Sequence, residues 1–242
     1  MIKYPKSKSP KIKPSKVTDS MIKPPKIRVL LIGAGRRIQN NFIPSLLCLK
    51  DTCSIVGIHS RRQESCVAVG AKWGVEPVAS LSEVNLDHVD VVAISVPTGA
   101  NANVLKQIEG YAHKLTIIID TPIAWTVAEY NQTLPLLTKF KRVIVTEDYM
   151  NFPRFELARR FAASGEIGQV VNTTLYNIGY FYHGLALLRS FCGFAPAISS
   201  ERLTLNSYAS AVKYNFISGY SGTVIGPYRR HTSGGIFIEG SR

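Results

Sequence analysis

The sequence predicts an α/β protein: an N-terminal doubly wound parallel sheet followed by a smaller α+β domain with a mainly antiparallel sheet. Three observations carry that expectation. Apolar β-branched runs alternate with helical segments from Lys26 to about Thr146, the pattern of parallel strands joined by crossover helices. The first run ends in Gly33-Ala34-Gly35, the start of a dinucleotide-binding turn. Beyond about Gln169 the pattern changes to short alternating segments separated by glycine turns, as in antiparallel strands.

Ile27, Val29, Leu30, Leu31 and Ile32 form the first strand, too short to cross a membrane and bounded by glycine. The two glycines permit a tight turn and let backbone N–H groups approach a pyrophosphate at the N-terminus of the next helix. The fingerprint is incomplete, because the third glycine position is Ile38, which is expected to hold the helix further from the strand. A helix through Phe42–Leu49 leads to a strand at Ser54–His59, and Gln63–Trp73 is a helix stopped by Gly74. Val89–Val96 is a strand closed by Pro97; Asn101–Ala112 is helical; Leu115–Asp120 is a strand. Val127–Phe140 is helical and Arg142–Thr146 is a sixth strand. Further strands are expected at Gln169–Ile178, Arg202–Ala209, Lys213–Ser218, Thr223–Tyr228 and Ile236–Glu239, with turns at Gly219–Gly222 and Thr232–Gly235.

The end of the second strand selects the nucleotide. An Asp or Glu there takes ribose hydroxyls and repels a 2′-phosphate, whereas this chain has His59-Ser60-Arg61-Arg62. A hydroxyl followed by two guanidinium groups suits a phosphate, so NADP(H) is expected, with NAD as the other candidate. The plain alternative is an ordinary basic turn.

Composition bounds the rest. The 242 residues are 45% hydrophobic with a mean hydropathy of +0.06, enough to bury real cores. No apolar run reaches the ~18 residues of a spanning helix, and the N-terminus lacks the apolar core of a secretory signal, so a cytoplasmic location is expected. Cys48, Cys53, Cys66 and Cys192 show no metal-ligand spacing and are expected to be reduced and packed. The net charge of +13 is concentrated at one end: residues 1–28 hold nine cations against Asp19 alone, which is +8 of the total. With Pro5, Pro10, Pro14, Pro24 and Pro25 in the same stretch, residues 1–26 read as a disordered basic tail. It is either a solvated leader or an electrostatic contact for a polyanion or an acidic protein.

Taken in order, these residues resemble the Gfo/Idh/MocA family of nicotinamide-dependent oxidoreductases, from about Ile27 to the C-terminus. The resemblance is carried by Gly33-Ala34-Gly35 with Pro44, Ser60-Arg61 and Ser95-Val96-Pro97. It continues in Asp120-Thr121-Pro122 where the family has Glu-Lys-Pro, and Glu147-Asp148-Tyr149 where it has Glu-Asn-Tyr. Ser164-Gly165-Glu166-Ile167-Gly168, and His183 followed by Leu187, Leu188, Arg189 and Gly193, complete it. It implies a Rossmann domain over 27–147 and a substrate and oligomerisation domain over 148–242, truncated because relatives continue past the Ile236–Arg242 strand. It also implies a homo-oligomer formed through the C-terminal sheet. Cofactor contacts are expected at Gly33, Gly35, Arg36, Arg37, Ile38, Ser60, Arg61, Arg62, Ser95, Pro97, Asp120, Thr121 and Pro122.

The departures concern the proton. The family lysine is Thr121, and the positions four before and three after His183 are Gly179 and Ala186, so neither carboxylate often found flanking that histidine is present. Threonine does not titrate near neutrality, whereas imidazole does. His183 is therefore the acid/base candidate, with Tyr149 or Tyr182 as its hydrogen-bonding or relay partner. Two functions follow: an NADP(H)-dependent oxidoreductase acting on a small carbonyl, imine or sugar-like compound, or a nucleotide-binding regulatory or complex-forming protein without redox chemistry.

Overall fold

A computed structural model describes residues 24–227, 229 and 234–242. The basic stretch 1–23, Tyr228 and the first half of the expected Thr232–Gly235 turn lie outside the described residues. The elements run β1 (Ile27–Ile32), α1 (Ile43–Cys48), β2 (Cys53–His59), α2 (Gln63–Trp73), β3 (Pro77–Val78), β4 (Val91–Ile94), α3 (Asn101–Ile108), β5 (Thr116–Ile119), α4 (Val127–Leu137) and β6 (Arg142–Val145). They continue with α5 (Pro153–Ala163), β7 (Val170–Tyr176), α6 (Phe181–Arg189), β8 (Ala197–Asn206), β9 (Ala209–Phe216), β10 (Ser221–Gly226) and β11 (Gly235–Gly240).

The first six strands form one parallel sheet in the order β3-β2-β1-β4-β5-β6. The order reverses between β1 and β4, which opens a crevice at their carboxyl ends. Leu30 and Ile32 pack on one face, with Val92, Ile94, Leu105, Ile117 and Leu136. Val29 and Leu31 pack on the other, with Ile38, Ile43, Ile58 and Val69. Burial on both faces explains why these strands read as continuous apolar runs rather than alternating ones.

The second sheet runs β11-β7-β10-β9-β8, with β7 and β10 parallel and the other pairs antiparallel. Helices α5 and α6 cover one face through Phe155, Leu187 and Leu188, which pack on Leu175, Phe216 and Val224. The approach of α6 depends on glycine: a Cβ at Gly184 would meet Val224 at 2.6 Å, and one at Gly222 would meet Leu188 at 2.6 Å. Among the described residues no helix packs on the opposite face.

Several boundaries correct the sequence reading. The strand expected at Arg202–Ala209 spans a turn at Ser207-Tyr208, so β8 starts earlier and β9 runs 209–216 rather than 213–218. Strand β10 ends at Gly226, with Pro227 lacking the N–H a continuing ladder needs. Helix α5 and the two-residue β3 had no counterpart in the sequence reading. Helix α3 stops at Ile108 and passes into a 3₁₀ turn, Glu109–Tyr111. The expected helix at Phe42–Leu49 is preceded by a π-helical turn, Ile38–Phe42, with Ile38 fully buried. The cysteines are free thiols, but only Cys66 is buried and Cys48 is exposed. No helix among the described residues is long and apolar enough to cross a membrane.

Candidate functional site

The site is built where the parallel sheet ends. Backbone bonds place Ile32, Ser95, Asp120 and Thr146 in a row: Ser95 N–H donates to Ile32 O, Asp120 N–H to Ile94 O and Thr146 N–H to Ile119 O, each at 2.9 Å. Asp120 ties that row together with its side chain. Its Oδ2 accepts from Ser95 Oγ at 2.9 Å, and its Oδ1 accepts from Thr146 Oγ1 at 2.9 Å, Arg37 Nε at 3.1 Å and the Thr121 N–H at 3.1 Å. Both carboxylate oxygens are thus occupied by protein donors. Asp120, expected as a cofactor contact, holds β4, β5, β6 and the Arg37 turn in register.

The glycine turn fits a dinucleotide. Gly33 has φ +116°, and a Cβ there would lie 2.1 Å from the Ser95 carbonyl oxygen, so only glycine is accommodated. A Cβ at Gly35 would meet nothing within 4 Å, which leaves the helix N-terminus open to a phosphate. Arg36 and Arg37 open that helix, and Ile38, fully buried at the third glycine position, begins the π turn. The Gly33 N–H donates to the His59 carbonyl at 2.7 Å, which sets Ser60-Arg61-Arg62 beside this turn. Ser60 Oγ donates to the Arg62 carbonyl at 3.0 Å, while both arginines are exposed with no ion pair among the described residues. Pro97 leads into a 3₁₀ turn at Thr98–Ala100, and the buried Asn101 donates from Nδ2 to the Ile123 carbonyl at 3.0 Å, anchoring the loop after Pro122.

The second sheet's helix α6 brings His183 to the same edge. His183 Nδ1 lies 2.7 Å from Glu147 Oε2, with both side chains nearly buried at 12% and 13% exposure. An ionised carboxylate only accepts, so in this pair Nδ1–H donates to Oε2 and Nε2 is the nitrogen left outside the bond. Thr121 Oγ1 donates to the same Glu147 oxygen at 3.4 Å. The histidine thus has a carboxylate partner, one distant in the sequence rather than flanking it along the chain. Glu147 lies thirty-six positions upstream, and the folded chain brings the two together. Its sequence signal was its place directly after β6.

Tyr149 stacks on His183 with ring centroids 4.3 Å apart and planes 14° from parallel. Its hydroxyl lies 2.6 Å from where a Cβ on Gly179 would be, so the glycine found four before the histidine makes room for a phenol. Tyr182 packs on His183 at 4.2 Å and edge-on to Trp125 at 5.6 Å, and Tyr180 stacks on Tyr182 at 5.4 Å. Burial pushes the Tyr182 hydroxyl up to about 12, reinforced by Tyr180 and the Glu147 and Asp120 carboxylates, so it remains a hydrogen-bond donor across the neutral range. Beside these residues is an open cleft of about 470 Å³, lined by Thr121, Pro122, Trp125, Tyr130, Val145, Glu147 and Tyr182 among others. A second cavity of about 410 Å³, lined by Arg159, Val170, Phe191, Cys192 and Tyr220 among others, contains none of the site residues named above.

A family model described as an oxidoreductase family with an NAD-binding Rossmann fold, GFO_IDH_MocA, matches residues 27–149. No curated protein matches the sequence. Solved structures share the fold at low identity. An oxidoreductase from Thermotoga maritima is 20% identical with a TM-score of 0.74, over 90% of this chain and 77% of that one. A protein described as a myo-inositol dehydrogenase of Sinorhizobium meliloti 1021 is 18% identical with a TM-score of 0.73, over 89% and 74%. The WlbA dehydrogenase of Bordetella pertussis, solved with NADH and UDP-GlcNAcA, is 19% identical with a TM-score of 0.74, over 90% and 76%.

Proposed function

We propose that this chain, which belongs to the Gfo/Idh/MocA oxidoreductase family with its NAD-binding Rossmann fold, is an NADP(H)-dependent enzyme that moves a hydride to or from a small carbonyl, imine or sugar-like compound. The observation that carries the reading is the Glu147–His183 pair, held at the carboxyl edge of the parallel sheet beside Thr121. That edge is where ligands of open α/β sheets bind.

The glycine turn with Arg36, Arg37 and Ile38 receives the pyrophosphate, and Ser60, Arg61 and Arg62 take the 2′-phosphate. Ser95, Pro97, Thr121 and Pro122 line the path between β4 and β5, and Asp120 keeps those walls fixed. The bound cofactor supplies or accepts the hydride. On reduction His183 acts as the imidazolium: Nε2–H gives the carbonyl oxygen its proton, while Nδ1–H stays on Glu147 and orients the ring. Tyr182 and Tyr149 orient the imidazole and donate hydrogen bonds, because neither phenol needs to ionise for that role.

The cofactor-binding unit spans 27–147 and the substrate unit 148–242, whose uncovered sheet face joins a second copy. Calorimetric titration tests the cofactor assignment: NADPH binding at least tenfold tighter than NADH, about 1.4 kcal/mol, with the gap reduced in Arg61→Ala. Equal affinities overturn it.

A further inference from the structure

The fold uses only one oxygen of Glu147. Oε2 receives His183 and Thr121, whereas Oε1 is buried without a hydrogen-bond partner among the described residues. A buried carboxylate oxygen left unpaired is costly, so one beside a ligand cleft marks an acceptor that a bound donor completes.

The cleft itself is largely apolar. Pro122, Ile123, Trp125, Val127 and Val145 make up much of its wall, and of the residues lining it Glu147 alone is charged. Sugars and polyols present several hydroxyls that each require a placed donor or acceptor, and sites for them are built accordingly. Here the lining offers few such groups. Thr126 Oγ1 already accepts from the Glu129 N–H as the N-cap of α4. Aromatic rings instead share the wall with the carboxylate: Trp125 sits edge-on to Tyr182, which packs on His183, the hydrogen-bond partner of Glu147. A carboxylate with aromatic neighbours and no competing lysine or arginine is the setting that binds a cation.

We propose that the cleft selects an apolar compound carrying a protonated nitrogen, an iminium or the corresponding amine, with its N–H donating to Glu147 Oε1 and its body against Trp125 and Tyr182. The inference rests on the hydride-transfer reading and narrows its substrate to the imine class. The chemistry balances without a titrating residue at position 121. The iminium carbon gains a hydride from the reduced nicotinamide, the C=N π pair withdraws to nitrogen, and a neutral amine forms with the nicotinamide oxidised and no proton consumed. A lysine at position 121 would set a second cation next to Glu147.

The test is a binding comparison on the full chain with saturating NADPH, read by calorimetry and by Trp125 fluorescence. The probes are 1,2,3,4-tetrahydroisoquinoline, a cation at neutral pH, its neutral oxygen isostere isochroman, and myo-inositol. The cation is expected to bind at least about tenfold tighter than isochroman, with inositol weakest. Glu147→Gln should bring the two ring compounds to near-equal affinity, and Thr121→Lys should do the same while leaving Glu147 in place should the first variant fail to fold. Trp125→Ala should weaken both. Equal binding of cation and isostere in the native chain, or tighter binding of inositol, overturns the proposal. A chain that binds NADPH but not the cation loses only this inference, whereas one that binds the cation and no dinucleotide loses the hydride-transfer reading.

Discussion

Position 183 puts a titrating group where the family lysine is absent, and residue-level chemistry decides what that is worth. Among Thr121, Tyr149, Tyr182 and His183, imidazole is the group suited to exchange a proton near neutrality, because threonine does not titrate and burial holds the Tyr182 proton to about 12. His183→Ala is therefore expected to lower carbonyl turnover by roughly 10²–10⁴-fold, the range for a lost general acid. NADPH affinity, measured by titration, should barely move. Thr121→Ala removes one 3.4 Å hydrogen bond to Glu147 and should cost far less. If His183→Ala leaves turnover intact, the proton role passes to Tyr149 or Tyr182. Tyr182→Phe is expected to keep the shape of the pH–rate profile, since its hydroxyl does not ionise within the working range.

Elements meet here through missing side chains and paired charges. Helix α6 carries His183, and its depth is set by Gly184 against Val224 and by Gly222 against Leu188. Gly184→Ala forces a methyl into contacts of 2.6–2.7 Å with both Val224 methyls, which overpacks a core that cannot open cheaply. A loss of about 1–3 kcal/mol is expected in urea unfolding. Gly110→Ala, where an added Cβ meets nothing within 4 Å, is the control and should change the midpoint little. Strands β1 and β4 are strapped by Arg28 and Asp90, whose Nη2–Oδ1 distance is 2.9 Å. The guanidinium hydrogen bonds hold the Asp90 carboxyl down from 3.8 to about 2. A carboxyl depressed in the folded state stabilises above its unfolded value and loses that contribution as pH falls through its folded one. The loss should therefore appear between about pH 4 and pH 2 and be absent in Asp90→Asn. It should be small and weaken with salt, because both side chains are more than a third exposed.

Among the described residues, the second sheet has one face covered by helices and one face on which no helix packs. The register places Tyr176, Ile225, the small and buried Ala211 and Leu203 in one cross-strand row of the face without helices, and Phe237, Thr174, Thr223, Lys213 and Glu201 in the next. Tyr176 and Phe237 are 50% and 62% exposed, large apolar area for a surface without a partner. Light scattering should report a dimer, and Phe237→Lys should shift it toward monomer with the unfolding midpoint of the dissociated chain preserved. A native monomer at micromolar concentration would refute the oligomer assignment. Deleting residues 1–23, a stretch whose composition cannot supply a core, should leave the melting temperature nearly unchanged and lower binding to heparin.

The sequence by itself determined the parallel sheet, because strands buried on both faces must be apolar throughout and glycine must follow the first, where a Cβ would strike Ser95. It also located the basic turn after β2, a local pattern, whereas His183 stood out only through the family resemblance. The second sheet was only partly legible: the all-exposed β8 has no core face to impose alternation, so its ends could not be placed from periodicity. What tertiary structure alone decided is the site's wiring. Asp120 gathering Arg37, Ser95 and Thr146, Glu147 reaching His183, and Tyr149 filling the space beside Gly179 are all contacts between residues far apart in the chain. Such pairs leave no spacing to read, because a hydrogen bond depends on where the folded backbones deliver the two groups and not on the number of residues between them.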